Sequence, residues 1–176
     1  MATMPRRDFL KTAAATAAAL AFAPRRLLAE AGAPAARVVI AHGTDIPKML
    51  AAGLAALGGW GAFVRSGQKA TLKPNAGWAS TPEQGANTHP QLVEEAIRAI
   101  RAAGASEVVL PENPCSPSAK SFAMSGIGAA AKRAGGRLYE PDDDKDFVET
   151  SVPGGKTLKQ GAVVRDVLQT GCPINM

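Results

Sequence analysis

The feature that most constrains the fold is a strand–helix–strand unit in the middle of the chain. The segment Lys69–Lys73 alternates polar and apolar residues and predicts a strand, which Pro74 ends because proline cannot donate to a sheet ladder. Residues 88–103 show helical periodicity, and residues 107–110 predict the next strand. Two strands joined by such a helix pair in parallel through a right-handed crossover, so the unit predicts an α/β fold.

The helix between these strands has the clearest signals in the chain. Thr88 is predicted to cap it, with Gln91 completing a capping box, and Gly104 is predicted to end it. Glu94 and Arg98 have the spacing of an ion pair on the exposed side. The residues expected to face the core are Leu92, Val93, Ala96, Ile97 and Ile100.

Further strands and helices alternate along the rest of the chain. Strands are predicted at 37–41, 137–140, 147–152 and from residue 173, and helices at 46–57 and 118–134, the latter broken near Gly126 and Gly128. Residues 163–168 fit either a strand or a short helix. This order predicts an α/β, three-layer domain: a mostly parallel sheet with helices on both faces.

The N-terminus carries a different kind of signal. Arg6 and Arg7 are followed by Phe9, Leu10 and Lys11, and then by an alanine-rich apolar run at 12–22. The run is shorter than the about 20 residues that a membrane-spanning helix needs. This order of charged and apolar segments is typical of a twin-arginine export signal.

An export signal divides the chain into a removable leader and a mature domain. The small residues Ala29 and Ala31 predict cleavage after residue 31, so that 1–31 is the signal and 32–176 the α/β domain. Cleavage after residue 23 and retention as an N-terminal anchor are alternatives. Resemblance to such signals implies recognition by the twin-arginine translocation machinery, folding before export, a periplasmic location and often a cofactor that is loaded beforehand.

The signal also accounts for most of the positive charge. The chain has 20 Lys and Arg against 15 Asp and Glu, a net charge of +5. Residues 1–31 hold five of the basic and two of the acidic residues, which leaves the mature part at +2. No basic stripe is interleaved with aromatic residues, so the sequence predicts no nucleic-acid partner.

Cysteine usage limits the possible cofactors. Cys115 and Cys172 are too few to hold an iron–sulfur cluster by four thiolates. In an oxidising compartment they either pair with each other or stay free, and sequence alone does not decide between the two. Phosphate-loop, zinc-protease and nucleophile-elbow motifs are absent from the sequence.

Polar residues follow each predicted strand, and in an open parallel sheet the carboxyl ends of the strands are where ligands bind. A long loop also follows the strand that ends at Lys73, which is a further pointer to function. The candidate residues are His42, Thr44 and Asp45; Lys73 and Asn75; Glu112, Asn113 and Cys115; and Asp142, Asp143 and Asp144.

Each candidate has a functional and a structural interpretation. Lys73 suits an anion contact or a solvated strand end, and Asn75 suits a ligand contact or a turn. Glu112 and Asn113 offer oxygen ligands for a hard cation, or end a strand. His89 lies at the start of the capped helix, where a surface position is the alternative to binding. Cys115 suits a small buried apolar residue better than a nucleophile.

Several short segments together resemble a known family. They are the KPN of 73–75, the NTHP of 87–90, the AGA of 103–105 and the ENP of 112–114. In this order they are similar to the domain-of-unknown-function 362 family, over roughly residues 37–176. The resemblance implies an α/β domain of unsettled activity, in a family where many members carry iron–sulfur ferredoxin modules elsewhere in the chain.

The chain departs from the family pattern at its end. Members continue past the strand that begins at Pro173, into a segment with lysine and histidine and a second half. We therefore expect a truncated or shortened form, with a sheet incomplete at the C-terminus and any iron–sulfur ligands outside this chain.

Three functions are compatible with these observations. The first is an exported domain that binds a metal or a redox cofactor and works with a redox partner. The second is an enzyme that acts on a small anionic substrate through Lys73. The third is a binding module without chemistry.

Overall fold

The computed structural model describes residues 36–142 and 145–176. Its central helix, α2 (Pro90–Ala102), follows α1 (Ile46–Ala56) and strand β1 (Lys69–Lys73). Four side chains of α2 are fully buried, and they recur at intervals of three, one and three residues, as an amphipathic helix requires. They are Val93, Ala96, Ile97 and Ile100.

After α2 the chain alternates again. Strand β2 spans Glu107–Pro111, helices α3 and α4 span Ser118–Met124 and Ile127–Ala134, and strand β3 spans Arg137–Tyr139. The break between α3 and α4 falls at Gly126, whose φ of 72° is a conformation that favours glycine. Gly128, the other predicted breaker, lies inside α4.

The last part of the chain forms a hairpin, a short helix and an edge strand. Strand β4 (Phe147–Ser151) pairs antiparallel with β5 (Gln160–Val164), and helix α5 (Arg165–Leu168) follows directly. Strand β6 spans Cys172–Asn175. The main sheet has the order β3-β2-β1-β6, and all its neighbours are parallel. The α/β prediction is confirmed.

The register of the sheet assigns its side chains to two faces. Ala70 pairs with Val108 and Cys172, and these residues point to the same side because parallel partners share a face. With Leu72 and Leu110 they join the buried core under α2 and α4. We call this the core face.

The opposite face carries most of the polar strand residues, with the buried Val109 among them. Lys69, Thr71 and Lys73 alternate with the core residues of β1, and the same register brings Arg137 and Tyr139 of β3 to this side. Residues 147–168, that is β4, β5, α5 and their connections, pack over it. We call this segment the cover. None of its residues is classed as buried.

Two predictions about local structure are wrong. Residues 37–41 form no strand, although their β-branched side chains favour one, and Ile40 is 89% exposed. A β-branched run becomes a strand only when another strand is available to pair with it. The cap of α2 is His89, whose Nδ1 accepts from the Gln91 N–H at 3.2 Å. The Thr88 hydroxyl instead accepts from the Asn75 N–H at 2.9 Å.

The ambiguous segment 163–168 contains both alternatives, the end of β5 and all of α5. The predicted Glu94–Arg98 pair is present, with 2.7 Å between Arg98 Nη2 and Glu94 Oε1. Gly104 follows α2 with a φ of 103°, as a residue that ends a helix often does.

Candidate functional site

A cavity of about 450 Å³ opens between the polar face of the sheet and the cover. The carboxyl ends of β1, β2 and β6 contribute one wall, and the cover contributes Phe147, Val164 and Val167. This is the position at which open α/β sheets bind ligands. Its lining residues are Thr71, Lys73, Pro111, Glu112, Asn113, Pro141, Phe147, Val164, Val167, Pro173, Ile174 and Asn175.

An ion pair marks the polar end of this cavity. Lys73 Nζ lies 2.6 Å from Glu112 Oε2, and the Lys73 ammonium also donates to the Pro74 carbonyl at 2.8 Å. The Glu112 side chain is 6% exposed and that of Lys73 is 41% exposed. Glu112 therefore lies against the protein, while Lys73 reaches it from the open side.

Glu112 also connects the cavity to the long loop after β1. Its Oε2 accepts from the Ala76 N–H at 3.0 Å, so one carboxylate oxygen binds both Lys73 and the loop backbone. Within the described residues no hydrogen bond uses the other oxygen, Oε1. Oε1 therefore keeps some exposed surface, since it is neither hydrogen-bonded nor fully buried.

Asn75 organises the same loop from its outer side. Its side chain donates to the Ala86 carbonyl at 3.1 Å and accepts from the Gly77 N–H at 3.3 Å. Asn87 makes a parallel set of bonds with the backbone of Trp78. These contacts use Asn75 as a turn residue, and it does not line the cavity.

A second polar cluster, centred on Asp166 of α5, fastens the cover to the sheet. The Asp166 carboxylate binds Lys69 of β1 and accepts from the Tyr139 hydroxyl at 2.9 Å and from Arg137 at 3.3 Å. The Asp166 carbonyl accepts from the Thr71 hydroxyl at 2.6 Å. One residue of the cover is therefore tied to strands β1 and β3.

The surroundings of this cluster shift two pKa values. Burial opposes ionisation of Asp166, but hydrogen bonds from Lys69 and Tyr139, together with nearby cations, outweigh it and lower the pKa of this carboxyl. Burial and the bond to Asp166 raise the pKa of Tyr139 well above its usual value. Around neutral pH the cluster thus holds an anionic Asp166 and a neutral Tyr139 that donates to it.

The cavity brings together three of the residues predicted as ligand contacts, namely Lys73, Glu112 and Asn113. His89 is exposed and caps α2. Cys115 is exposed, and its N–H donates to the Gly77 carbonyl at 2.9 Å within the long loop. Neither His89 nor Cys115 lines the cavity.

The expectation that Cys115 is buried is wrong, because it lies on the exposed connection after β2. Cys172 is buried, and burial raises the pKa of its thiol. Both thiols are free. Cys172 lies opposite Ala70 near the amino end of β1, whereas Cys115 follows the carboxyl end of β2, so the fold keeps them apart.

The candidate ligand residues predicted after the segments 37–41 and 137–140 do not line the cavity. His42 and Asp45 precede α1 beside Lys48 and Met49, since residues 37–41 form no strand that would carry them to the sheet edge. Asp142 is exposed, and Asp143 and Asp144 lie outside the described residues. Within the described residues, no three His, Cys, Asp or Glu side chains cluster as metal ligands would.

The apolar wall of the cavity was missed by the sequence analysis, as was Asp166. Phe147, Val164 and Val167 belong to a hairpin and a short helix whose position over the sheet depends on long-range contacts. One signal was available: an antiparallel hairpin within an α/β chain adds no parallel strand to the sheet and must pack against another surface. A second cavity, of about 330 Å³, lies between α1 and α2 and is lined mainly by apolar residues such as Leu50 and Leu54.

Fold and site together define an α/β domain with a cavity at the carboxyl ends of its parallel strands. Residues 71–176, more than half of the chain, match the family model described as Domain of unknown function (DUF362). The chain therefore belongs to the DUF362 family. Every residue of the Lys73–Glu112 pair and of the cover falls within the matched segment.

Residues 3–23 match the model of the twin-arginine translocation pathway signal sequence. The export prediction is confirmed, and Arg6, Arg7, Phe9, Leu10 and Lys11 fall in the matched segment, outside the described residues. In the part of the chain that the structure describes, no helix has the length and apolar character needed to cross a bilayer. Comparison with curated proteins and with solved structures found no match.

Proposed function

We propose that this exported domain binds a small organic molecule in the cavity between the sheet and the cover. The observation that carries the proposal is the Lys73–Glu112 pair at the polar end of a mainly apolar cavity. A cavity of about 450 Å³ falls within the usual range of ligand sites, which combine apolar walls with a few polar groups.

The energetics of the pair support this proposal. Removing a carboxylate from water costs several kcal/mol, and an ion pair recovers this cost only with good geometry. Because Lys73 is 41% exposed, this pair is expected to add only about 0–1 kcal/mol to stability. A pair that faces a cavity instead of the core is thus better explained by ligand recognition than by stability.

The metal or redox cofactor has less support in the described residues. An iron–sulfur cluster needs thiolates, and the two cysteines lie near opposite edges of the sheet, Cys115 after the carboxyl end of β2 and Cys172 at the amino end of β6. A metal bound by Glu112 would meet the repulsion of the Lys73 ammonium, and it would need further carboxylate, imidazole or thiolate ligands that do not cluster there among the described residues. Such a cofactor would require ligands from outside the described residues, and a redox partner would be expected only if that cofactor is bound.

A ligand panel tests the proposal directly. The purified chain is screened by thermal unfolding against amino acids, carboxylic acids, amines, sugars and nucleosides, because a ligand that binds the native state raises the Tm. We expect at least one class to raise the Tm in a concentration-dependent way. If no class does, the proposal fails.

A pair of neighbouring variants on α5 shows where the ligand binds. Val167→Trp fills the cavity and should abolish the Tm shift, whereas Leu168→Trp, on a side chain that is 47% exposed, should leave it unchanged. Undiminished binding by a folded Val167→Trp variant would contradict the assignment. Elemental analysis and a visible spectrum of the same preparations test the metal or redox alternative, and a stoichiometric metal or an absorption band would favour it.

A further inference from the structure

The polar end of the cavity is balanced in charge. Among the described residues, Lys73 and Glu112 are the two charged groups that line it, and Asn113 and Asn175 contribute neutral amides. A simple anion that approached Lys73 would also meet the Glu112 carboxylate, whose repulsion offsets much of the attraction. The cavity is therefore poorly suited to a ligand that carries a single charge.

Each member of the pair keeps an unused bonding position. The ammonium of Lys73 has three N–H donors, of which two bind Pro74 and Glu112. Glu112 uses Oε2 for both of its bonds, so Oε1 remains an acceptor. A ligand that matches both positions in charge presents an anion to Lys73 and a cationic donor to Glu112, close together, and such charge-assisted bonds are stronger than neutral ones.

The rest of the cavity is apolar. Phe147, Val164 and Val167 of the cover line it, together with prolines at the strand ends. A matching ligand therefore combines a compact pair of opposite charges with an aromatic or branched apolar group. Resting on the proposed function, we propose that the cavity binds a zwitterionic α-amino acid with such a side chain, its carboxylate on Lys73 and its ammonium on Glu112.

Three compounds that share one side chain test this inference. Titration calorimetry of the full chain compares phenylalanine with 3-phenylpropionate, which lacks the ammonium, and with phenethylamine, which lacks the carboxylate. We expect phenylalanine to bind at least about tenfold more tightly than either, since each missing group removes one charge-assisted hydrogen bond.

The outcomes separate the inference from the proposed function. One outcome is that a singly charged compound binds as tightly as phenylalanine and that Val167→Trp abolishes this binding. The preference for a zwitterion is then wrong, while the cavity remains a ligand site. If none of the three binds while the panel shows another ligand, the inference again fails alone. If the panel is also negative, both fail.

Two isosteric changes should exchange the preferences. Glu112→Gln should weaken the binding of phenylalanine by about tenfold or more. It should strengthen the binding of 3-phenylpropionate, because the charge of Lys73 is no longer neutralised. Lys73→Met should weaken the binding of phenylalanine and strengthen that of phenethylamine. Lys120→Met, at an exposed site on α3, should leave both affinities unchanged. Equal losses of affinity for all three compounds would overturn the assignment of the two charged groups. If a variant does not fold, the comparison of the three compounds on the wild-type chain still tests the inference.

Discussion

The two faces of the central sheet are built on opposite principles. On the core face, Leu72, Val108 and Leu110 pack with Ile97 of α2 and have no exposed surface. On the other face, Lys69, Thr71 and Tyr139 hold Asp166 by hydrogen bonds, and no residue of the cover is classed as buried. Apolar packing therefore stabilises one face, and a polar cluster with a cavity beside it occupies the other.

This difference indicates that the two faces have different roles. Close-packed apolar side chains contribute most of the stability of a domain and tolerate few changes. A segment attached through polar bonds and partly exposed apolar residues opens at lower free energy, and ligand sites are commonly covered by such segments. We infer that the core face maintains the fold and that the polar face serves ligand binding.

The largest expected effect is on the core face. Ile97→Ala should lower the free energy of unfolding by about 2–5 kcal/mol, because it leaves a cavity at a fully buried site. Val164→Ala on the cover should cost clearly less, since Val164 is only partly buried. Urea unfolding of the purified chain measures both. Equal costs would contradict the contrast between the faces.

The next effect concerns the attachment of the cover. Asp166→Ala leaves Lys69, Tyr139 and Arg137 without their shared acceptor, and should cost about 1–3 kcal/mol. Hydrogen exchange should show the loss mainly in residues 147–168, with α2 keeping its protection. A uniform loss across the chain would indicate that the cover is part of the core and not a separate element.

A smaller effect is expected at the cap of α2. His89→Ala should lower stability by about 1 kcal/mol, because the Gln91 N–H loses its acceptor. Because His89 does not line the cavity, affinity for any cavity ligand should be unchanged. Calorimetry beside urea unfolding checks both points. A loss of affinity without a loss of stability would indicate that His89 contributes to ligand binding.

The smallest effect is a dependence on acid. The pKa of Asp166 is lower in the folded chain than its ordinary value of 3.8, so its contribution to stability is present above that value and is lost as pH falls through the folded pKa. Asp166→Asn should lack this component. Unfolding followed from pH 5 downward should therefore converge for wild type and variant at the acid end, and parallel curves would contradict the role of the ionised carboxylate.

Local signals made much of the core face predictable. The periodicity of α2, the alternation of polar and apolar residues in β1, the valines of β2 and the glycine after α2 each depend on neighbours in sequence, and all four predictions agree with the structure. The run at 37–41 has an equally clear strand pattern but forms no strand, because pairing depends on a distant partner that local sequence does not specify.

The polar face was only partly predictable. Lys73, Glu112 and Asn113 follow from the rule that sites lie at strand ends, since β1 and β2 were recognised. Asn75 and Cys115 follow strands too, but their side chains or backbone serve the loop. Phe147 reaches the cavity, and Asp166 the polar cluster beside it, through the placement of the cover, which rests on contacts over about a hundred residues, such as that of Asp166 with Lys69.

The most direct test of the account is a map of ligand contacts in solution. Amide chemical shifts of the isotope-labelled chain are followed while phenylalanine, or another ligand found in the panel, is added. We expect the changes to concentrate at the cavity between the sheet and the cover, at Thr71, Glu112, Phe147, Val167 and Asn175. Changes confined to the second cavity, around Leu50 and Leu54 between α1 and α2, would contradict it.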